Sequence, residues 1–87
     1  MVMLPKLLKA LSDPTRLKIV EVLEKGEICA CKFASITNKA QPTVSQHLKI
    51  LENAGIIKSR KDGKNVMYSI ADKRVFDLIK IAKEISK

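Results

Sequence analysis

Read for its periodicities, the amino-acid sequence describes a mainly α-helical domain with a single β-hairpin, an α+β fold. Three observations carry that expectation. Apolar residues recur at helical spacing in four stretches. The period then switches to two across residues 56–70, around Asp62-Gly63. Helix starts and stops stand where the pattern needs them, at Asp13-Pro14, Gly26, Gln41-Pro42 and Gly55. The 87 residues suffice for one small domain. A domain of that size buries only a modest share of its surface, which favours an oligomeric working unit. Phe33, Tyr68 and Phe76 are the only aromatic residues, so the core must be aliphatic.

Residues 4–11 carry Leu4, Leu7, Leu8 and Leu11 at i, i+3, i+4 and i+7, the single apolar stripe of a short helix. Pro5 is tolerated because it lies near the helix start. Asp13 then offers an N-cap, and Pro14 a first helical position, for a second helix running to about Lys25. Leu17, Val20 and Leu23 form its apolar line, Ile19 and Val22 widen it, and Gly26 supplies the stop. A short third helix is expected from about 29 to 36, followed by a turn at Asn38-Lys39-Ala40. The next helix opens at Gln41 with Pro42 in its first turn. Val44, Leu48 and Leu51 line its inner face, while Thr43, Ser45, Gln46 and Lys49 lie away from it. Asn53-Ala54-Gly55 closes it. Asp62-Gly63 is a strong hairpin signal. Val66, Tyr68 and Ile70 alternate with Asn65, Met67 and Ser69, so one face packs inward. Asp72 is placed to cap a last helix over about 73–85, whose stripe is Val75, Leu78, Ile79, Ala82 and Ile85.

The order is helix, helix, helix, turn, helix, hairpin, helix. A short helix, a tight turn and a second helix with a polar outer face make a helix-turn-helix unit, here about 29–54. The basic hairpin that follows, about 56–70, is a wing. Residues 1–87 thus read as one winged helix-turn-helix domain.

Charge points to the partner. The chain holds 17 Lys+Arg against 9 Asp+Glu, a formal charge of +8, and its pI is near 9.7. Such a balance suits a polyanion. Residues 28–71 hold Lys32, Lys39, Lys49, Lys58, Arg60, Lys61 and Lys64 against Glu52 and Asp62, a net +5. Residues 1–27 carry only +1 and residues 72–87 only +2. The excess falls on the elements that would face a phosphate backbone, which argues against lysines that merely solvate the domain. Two cysteines, Cys29 and Cys31, are too few and too close together for a secreted disulfide framework. With no membrane-length apolar run and no signal-peptide core, no membrane partner is expected and the expected location is the cytoplasm. An enzyme is disfavoured by the single histidine, the lack of a glycine-rich phosphate loop and the lack of a carboxylate pair placed for acid–base work.

From Lys9 to Ile70 the chain resembles the ArsR/SmtB family of winged-helix repressors. Three stretches carry the match: Ala10-Leu-Ser-Asp-Pro-Thr-Arg-Leu-Lys-Ile-Val20, Gln41-Pro-Thr-Val-Ser-Gln-His-Leu-Lys-Ile-Leu51, and Gly55-Ile-Ile-Lys-Ser-Arg-Lys-Asp-Gly63 running on to Tyr68. They look like the family's opening signature, its recognition helix and its wing. The resemblance implies a homodimer through the terminal helices, about 4–11 and 73–85. A domain this small with apolar terminal helices also needs somewhere to bury them. The implied function is a sequence-specific transcriptional repressor on an inverted-repeat operator in double-stranded DNA.

The DNA step follows from residue types. A helix in the major groove points its N-terminal half at base edges. Gln41 and Gln46 can each pair bidentately with adenine, and Thr43 and Ser45 are adaptable donors or acceptors. Family members use positions matching Ser45 and Gln46 for base contacts. His47 is open between a half-buried structural role and a phosphate contact. Lys39 and Lys49 are phosphate candidates. In the wing, Arg60, Lys61 and Lys64 flank the tip, and Arg60 is a candidate for a narrow minor groove. Solvated edge-strand lysines that discourage aggregation are the alternative for the wing. Ala40 stands where relatives often carry a Ser cap, a cap worth about 1 kcal/mol, so either the recognition helix begins less firmly or Asn38 caps it.

Glu27-Ile-Cys29-Ala-Cys31-Lys-Phe33-Ala34 resembles the Cys-x-Cys segment of the family's arsenic, antimony and cadmium sensors. The resemblance makes Cys29 and Cys31 metal ligands, with arsenite, antimonite or cadmium as effector and no resident cofactor required. Thiolates are the soft ligands that such ions select. On a helix, i and i+2 lie about 200° apart, so one ion would hold both sulfurs only by unwinding the first turn. Two thiolates leave a sulfur site incomplete, Ala34 stands where some arsenic sensors carry a third cysteine, and the last helix has no histidine for the family's other metal site. A labile disulfide switch is the competing reading of the pair, and free Cys is also a common buried hydrophobe. Beyond repression, the remaining alternative is an effector-independent winged-helix module that binds nucleic acid or protein without operator specificity.

Overall fold

The computed structural model describes residues 3–86. Helix α1 spans Leu4–Leu11 with Pro5 in its first turn. Helix α2 spans Pro14–Val22; the Asp13 carboxylate accepts the Arg16 backbone N–H at 3.0 Å, capping one of the N–H groups that a helix start leaves unpaired. The chain tightens into a 3-10 turn at Leu23–Lys25 and stops at Gly26.

The next segment departs from expectation. The helix expected over 29–36 begins only at Phe33, as α3, Phe33–Thr37, after a 3-10 turn at Ala30–Lys32. Ile28 and Cys29 are instead a short strand, β1. They pair antiparallel with the hairpin, Ile28 opposite Tyr68 and Cys29 opposite Met67. An open hairpin edge offers ladder hydrogen bonds to the passing backbone, and those bonds displace the first helical turn.

Asn38 takes the left-handed conformation (φ 58°) between α3 and α4, which asparagine tolerates better than most side chains. Helix α4 spans Gln41–Asn53 and starts from an extended Ala40 with no side-chain cap, and Asn38 supplies none. Strands β2, Ile57–Asp62, and β3, Asn65–Ile70, form the hairpin, giving a three-stranded sheet in the order β1-β3-β2. Asp62 pairs with Asn65, so the turn proper is Gly63-Lys64, one residue later than the Asp62-Gly63 signal suggests. Gly63 takes φ +63° at the first turn position, where a hairpin loop of this kind calls for glycine. Helix α5 spans Arg74–Ile85, and its first backbone N–H donates to Asp72 at 2.9 Å.

The inner faces of α2, α4 and α5 meet in one core. Ile19, Val20, Phe33, Val44 and Leu51 are fully buried, with Leu23, Leu48, Ile56 and Ile57 beside them. Phe33 is the one aromatic ring at the centre, and Tyr68 of β3 meets it edge-on with centroids 6.4 Å apart. Truncating any of the large side chains here costs about 2–5 kcal/mol. The outer faces of α1 and α5 are also apolar but lie open. Leu4, Leu8, Ile81 and Ile85 are 46–78% exposed, and a groove of about 330 Å3 runs between Leu8, Leu11, Leu17, Leu78, Ile79 and Ala82. Among the described residues, no helix is long and apolar enough to cross a membrane.

Candidate nucleic-acid interface

Helix α4 is held by one face and offers the other. Val44, Leu48 and Leu51 are at most 2% exposed. Burying that stripe leaves Gln41, Thr43, Ser45, Gln46 and Lys49 on the solvent side, with Lys39 exposed in the turn before it. Short α3 braces this arrangement from below: Phe33 is its core pin, and the Thr37 hydroxyl donates back to the Phe33 carbonyl at 2.7 Å.

His47 sits at the seam between α4 and α2. Its side chain is 17% exposed, and its Nδ1 lies 3.2 Å from Arg16 Nη1 and 4.0 Å from the Asp13 carboxylate. Arginine only donates, so Nδ1 accepts and the ring proton belongs on Nε2. Arg16 Nε also donates to the Ala10 carbonyl at 2.7 Å. One guanidinium thus joins the end of α1, the start of α2 and the middle of α4. No periodicity marks Arg16 as functional, although it lies inside the Asp13-Pro-Thr-Arg16 stretch that resembles the family's opening signature.

The wing carries Lys58, Arg60, Lys61 and Lys64 exposed. Arg60 is not free. Its Nε and Nη2 donate to the two Glu27 carboxylate oxygens at 2.7 and 2.6 Å, a bidentate pair. That pair holds the Glu27 carboxyl below its ordinary value. The minor-groove role expected for Arg60 therefore meets a competing acidic partner within the same chain. On the opposite side of β2, Ser59 donates to Glu52 near the end of α4 at 2.7 Å, tying the hairpin to that helix. Glu27 and Glu52 escape sequence reasoning because no periodicity links residues so far apart.

The two cysteines are both free and come together. Cys29 is buried in extended β1 and Cys31 is exposed in the 3-10 turn, with their sulfurs 2.6 Å apart. A helix would have set them on opposite sides; the strand-then-turn path sets them on the same side. The expected unwinding of a helical turn is therefore not needed to bring the sulfurs to one ligand. The contact between the two thiols, together with the Cys31 N–H that donates to the Cys29 sulfur at 3.4 Å, lowers the Cys29 thiol below its ordinary value. The same contact with Cys29 raises the Cys31 thiol. Among the described residues no group of three or more His, Cys, Asp or Glu side chains is placed to hold a metal ion. The donor set fits a ligand that takes two sulfurs and completes its shell from solvent; it does not fit a closed four-ligand zinc site.

A family model described as "Bacterial regulatory protein, arsR family" matches residues 13–59. An HTH-type transcriptional regulator of Methanocaldococcus jannaschii is 47% identical over 81 residues, covering 92% of this chain and 91% of that protein. A homologue of the cadmium resistance transcriptional regulatory protein from Staphylococcus aureus is 49% identical over 78 residues, covering 88% of this chain. The chain spans 64% of that protein's length, less than two thirds. The solution structure of a homodimeric winged helix-turn-helix DNA-binding domain from Mycobacterium bovis superposes with a TM-score of 0.83 at 29% identity, covering 92% of this chain and 77% of that one.

Proposed function

The chain belongs to the arsR family of bacterial regulatory proteins, and on that premise we propose that it is a homodimeric, sequence-specific DNA-binding repressor, released from an inverted-repeat operator when a thiophilic metalloid or metal ion of the arsenite type binds Cys29 and Cys31. The observation that carries the DNA half is the division of α4 into a buried stripe and a polar face. Gln41, Thr43, Ser45 and Gln46 take base edges in the major groove, and Lys39, Lys49, Lys61 and Lys64 take phosphates. His47 holds α4 against α2 through Arg16. The open apolar faces of α1 and α5 support the homodimer, since each copy has a matching face to bury.

The effector half rests on the two adjacent sulfurs. Arsenous acid condenses with two thiols, forming two As–S bonds and releasing two waters with no change of oxidation state. Cys29 already has its thiolate favoured by its contacts with Cys31. The cadmium-resistance relative supports a soft ion as the class of ligand. The same contact favours a second reading, in which a peroxide oxidises the two thiols to a disulfide and is itself reduced to water.

Selection from a random duplex pool, followed by a release titration, tests both halves. The expected product is an inverted repeat bound at least about a thousandfold better than random duplex. Affinity should fall steeply with salt. Arsenite should release wild type but not Cys29→Ser. Equal affinity for every duplex would overturn the repressor reading. Release by peroxide alone would move the effector to the redox reading, and release by neither would leave the cysteines structural.

A further inference from the structure

We infer that the Glu27–Arg60 pair carries the state of the thiol pair to the wing, making Arg60 a positioning residue for DNA binding rather than a DNA contact. The inference rests on the reading of Cys29 and Cys31 as the effector site.

The sheet register places the parts. Met67 of β3 pairs with Cys29 on one side and with Arg60 on the other. The three form one cross-strand row and share a face of the sheet. Glu27 stands two residues before Cys29, immediately ahead of β1. From there its carboxylate reaches across β3 to grip Arg60 with both oxygens. The next residue along β2, Ser59, faces the other way and bonds to Glu52 of α4. Strand β2 is thus held from two sides at adjacent positions, by the thiol segment and by the recognition helix.

A ligand that binds both sulfurs sets their separation by its own bond lengths rather than by the thiol contact. The change falls on the Cys29 and Cys31 side-chain torsions and on the backbone that carries them. Strand β1 is only two residues long, so Glu27 follows that backbone. A bidentate guanidinium–carboxylate pair depends on the planes of both groups, and a small displacement costs it one of its two hydrogen bonds. The wing then loses its tether on the thiol side while keeping the one to α4. Each ligand thereby biases the same contact, which is the physical requirement for coupling two sites.

The test uses phenylarsine oxide, which joins two thiols through arsenic with loss of one water, and reads its attachment by mass separately from DNA affinity. On the selected duplex, attachment should weaken wild-type binding by about tenfold or more. In Glu27→Gln and in Arg60→Gln the reagent should still attach, but the weakening should shrink to about threefold or less. The exchange of both residues, Glu27→Arg with Arg60→Glu, conserves net charge and should restore much of the response. Unchanged weakening in both single variants overturns the inference. So does an Arg60→Gln variant that lowers the salt dependence by about one phosphate while Glu27→Gln does not, since that marks a direct backbone contact. Attachment with no effect on wild-type DNA binding overturns the effector reading and the inference together. A response to the reagent but not to arsenite, with the variants behaving as expected, removes only the metalloid and leaves the coupling standing.

Discussion

Gln46 and Lys61 are assigned different tasks on DNA, and substitution separates them. Gln46→Ala should cost about 1–3 kcal/mol on the best duplex and relax preference at one base position, with the salt dependence unchanged. Lys61→Ala should weaken every duplex alike and flatten the salt dependence by about one phosphate. Competition binding across a panel of single-base variants at several salt concentrations checks both. Identical behaviour of the two variants would mean that α4 does not enter the groove as assigned. The polar face of α4 was legible in the sequence because burying Val44, Leu48 and Leu51 dictates what remains outside. Partners set by the fold were not. Glu27 meets Arg60, and Arg16 meets His47, only after strands and helices have docked, and no local pattern encodes such meetings. The cysteines illustrate the same limit: their spacing was plain, but the closeness of their sulfurs depends on backbone conformation.

Capping chemistry gives the clearest test among the elements. Helix α4 begins at Ala40 without a side-chain acceptor. Ala40→Ser should therefore stabilise the domain by about 1 kcal/mol in denaturant unfolding, with unfolding cooperativity retained. Asp13 is the opposite case. Its carboxylate takes the Arg16 N–H, and that bond, with the nearby Arg16 guanidinium, holds its carboxyl below the ordinary 3.8 despite the desolvation that opposes it. A lowered folded-state value means that the stabilisation is complete above the ordinary value and is lost as pH falls through the lowered one. Asp13→Asn keeps a capping oxygen but cannot titrate there, so thermal scans from about pH 7 down to about pH 2 should show a smaller acid loss than in wild type. An unchanged acid loss would remove Asp13 from the pH response. Helices α1, α2, α4 and α5 and the hairpin were readable because each buries one face and so writes a period into the chain. Strand β1 has two residues, too few to show a period, and exists because β3 offers it an edge. The displaced start of α3 follows from that pairing.

In the proposed dimer the outer faces of α1 and α5, open in the single chain, form the interface. Leu8→Glu or Ile81→Glu places a carboxylate in the apolar contact proposed between the two copies, while each site is exposed in the single chain. Both variants should fold, sediment as single chains, and lose most operator affinity, because the second half-site no longer binds as part of one unit. Dimeric sedimentation with full affinity would place the interface elsewhere. The most direct measurement is sedimentation of the wild-type protein on its selected duplex, combined with a backbone footprint of the same complex. Two chains per duplex are predicted, with their protected major-groove centres about 10 base pairs apart or at a whole multiple of that spacing. A single chain per duplex that retains full sequence preference, or protection unaffected by changes along α4, would contradict the account.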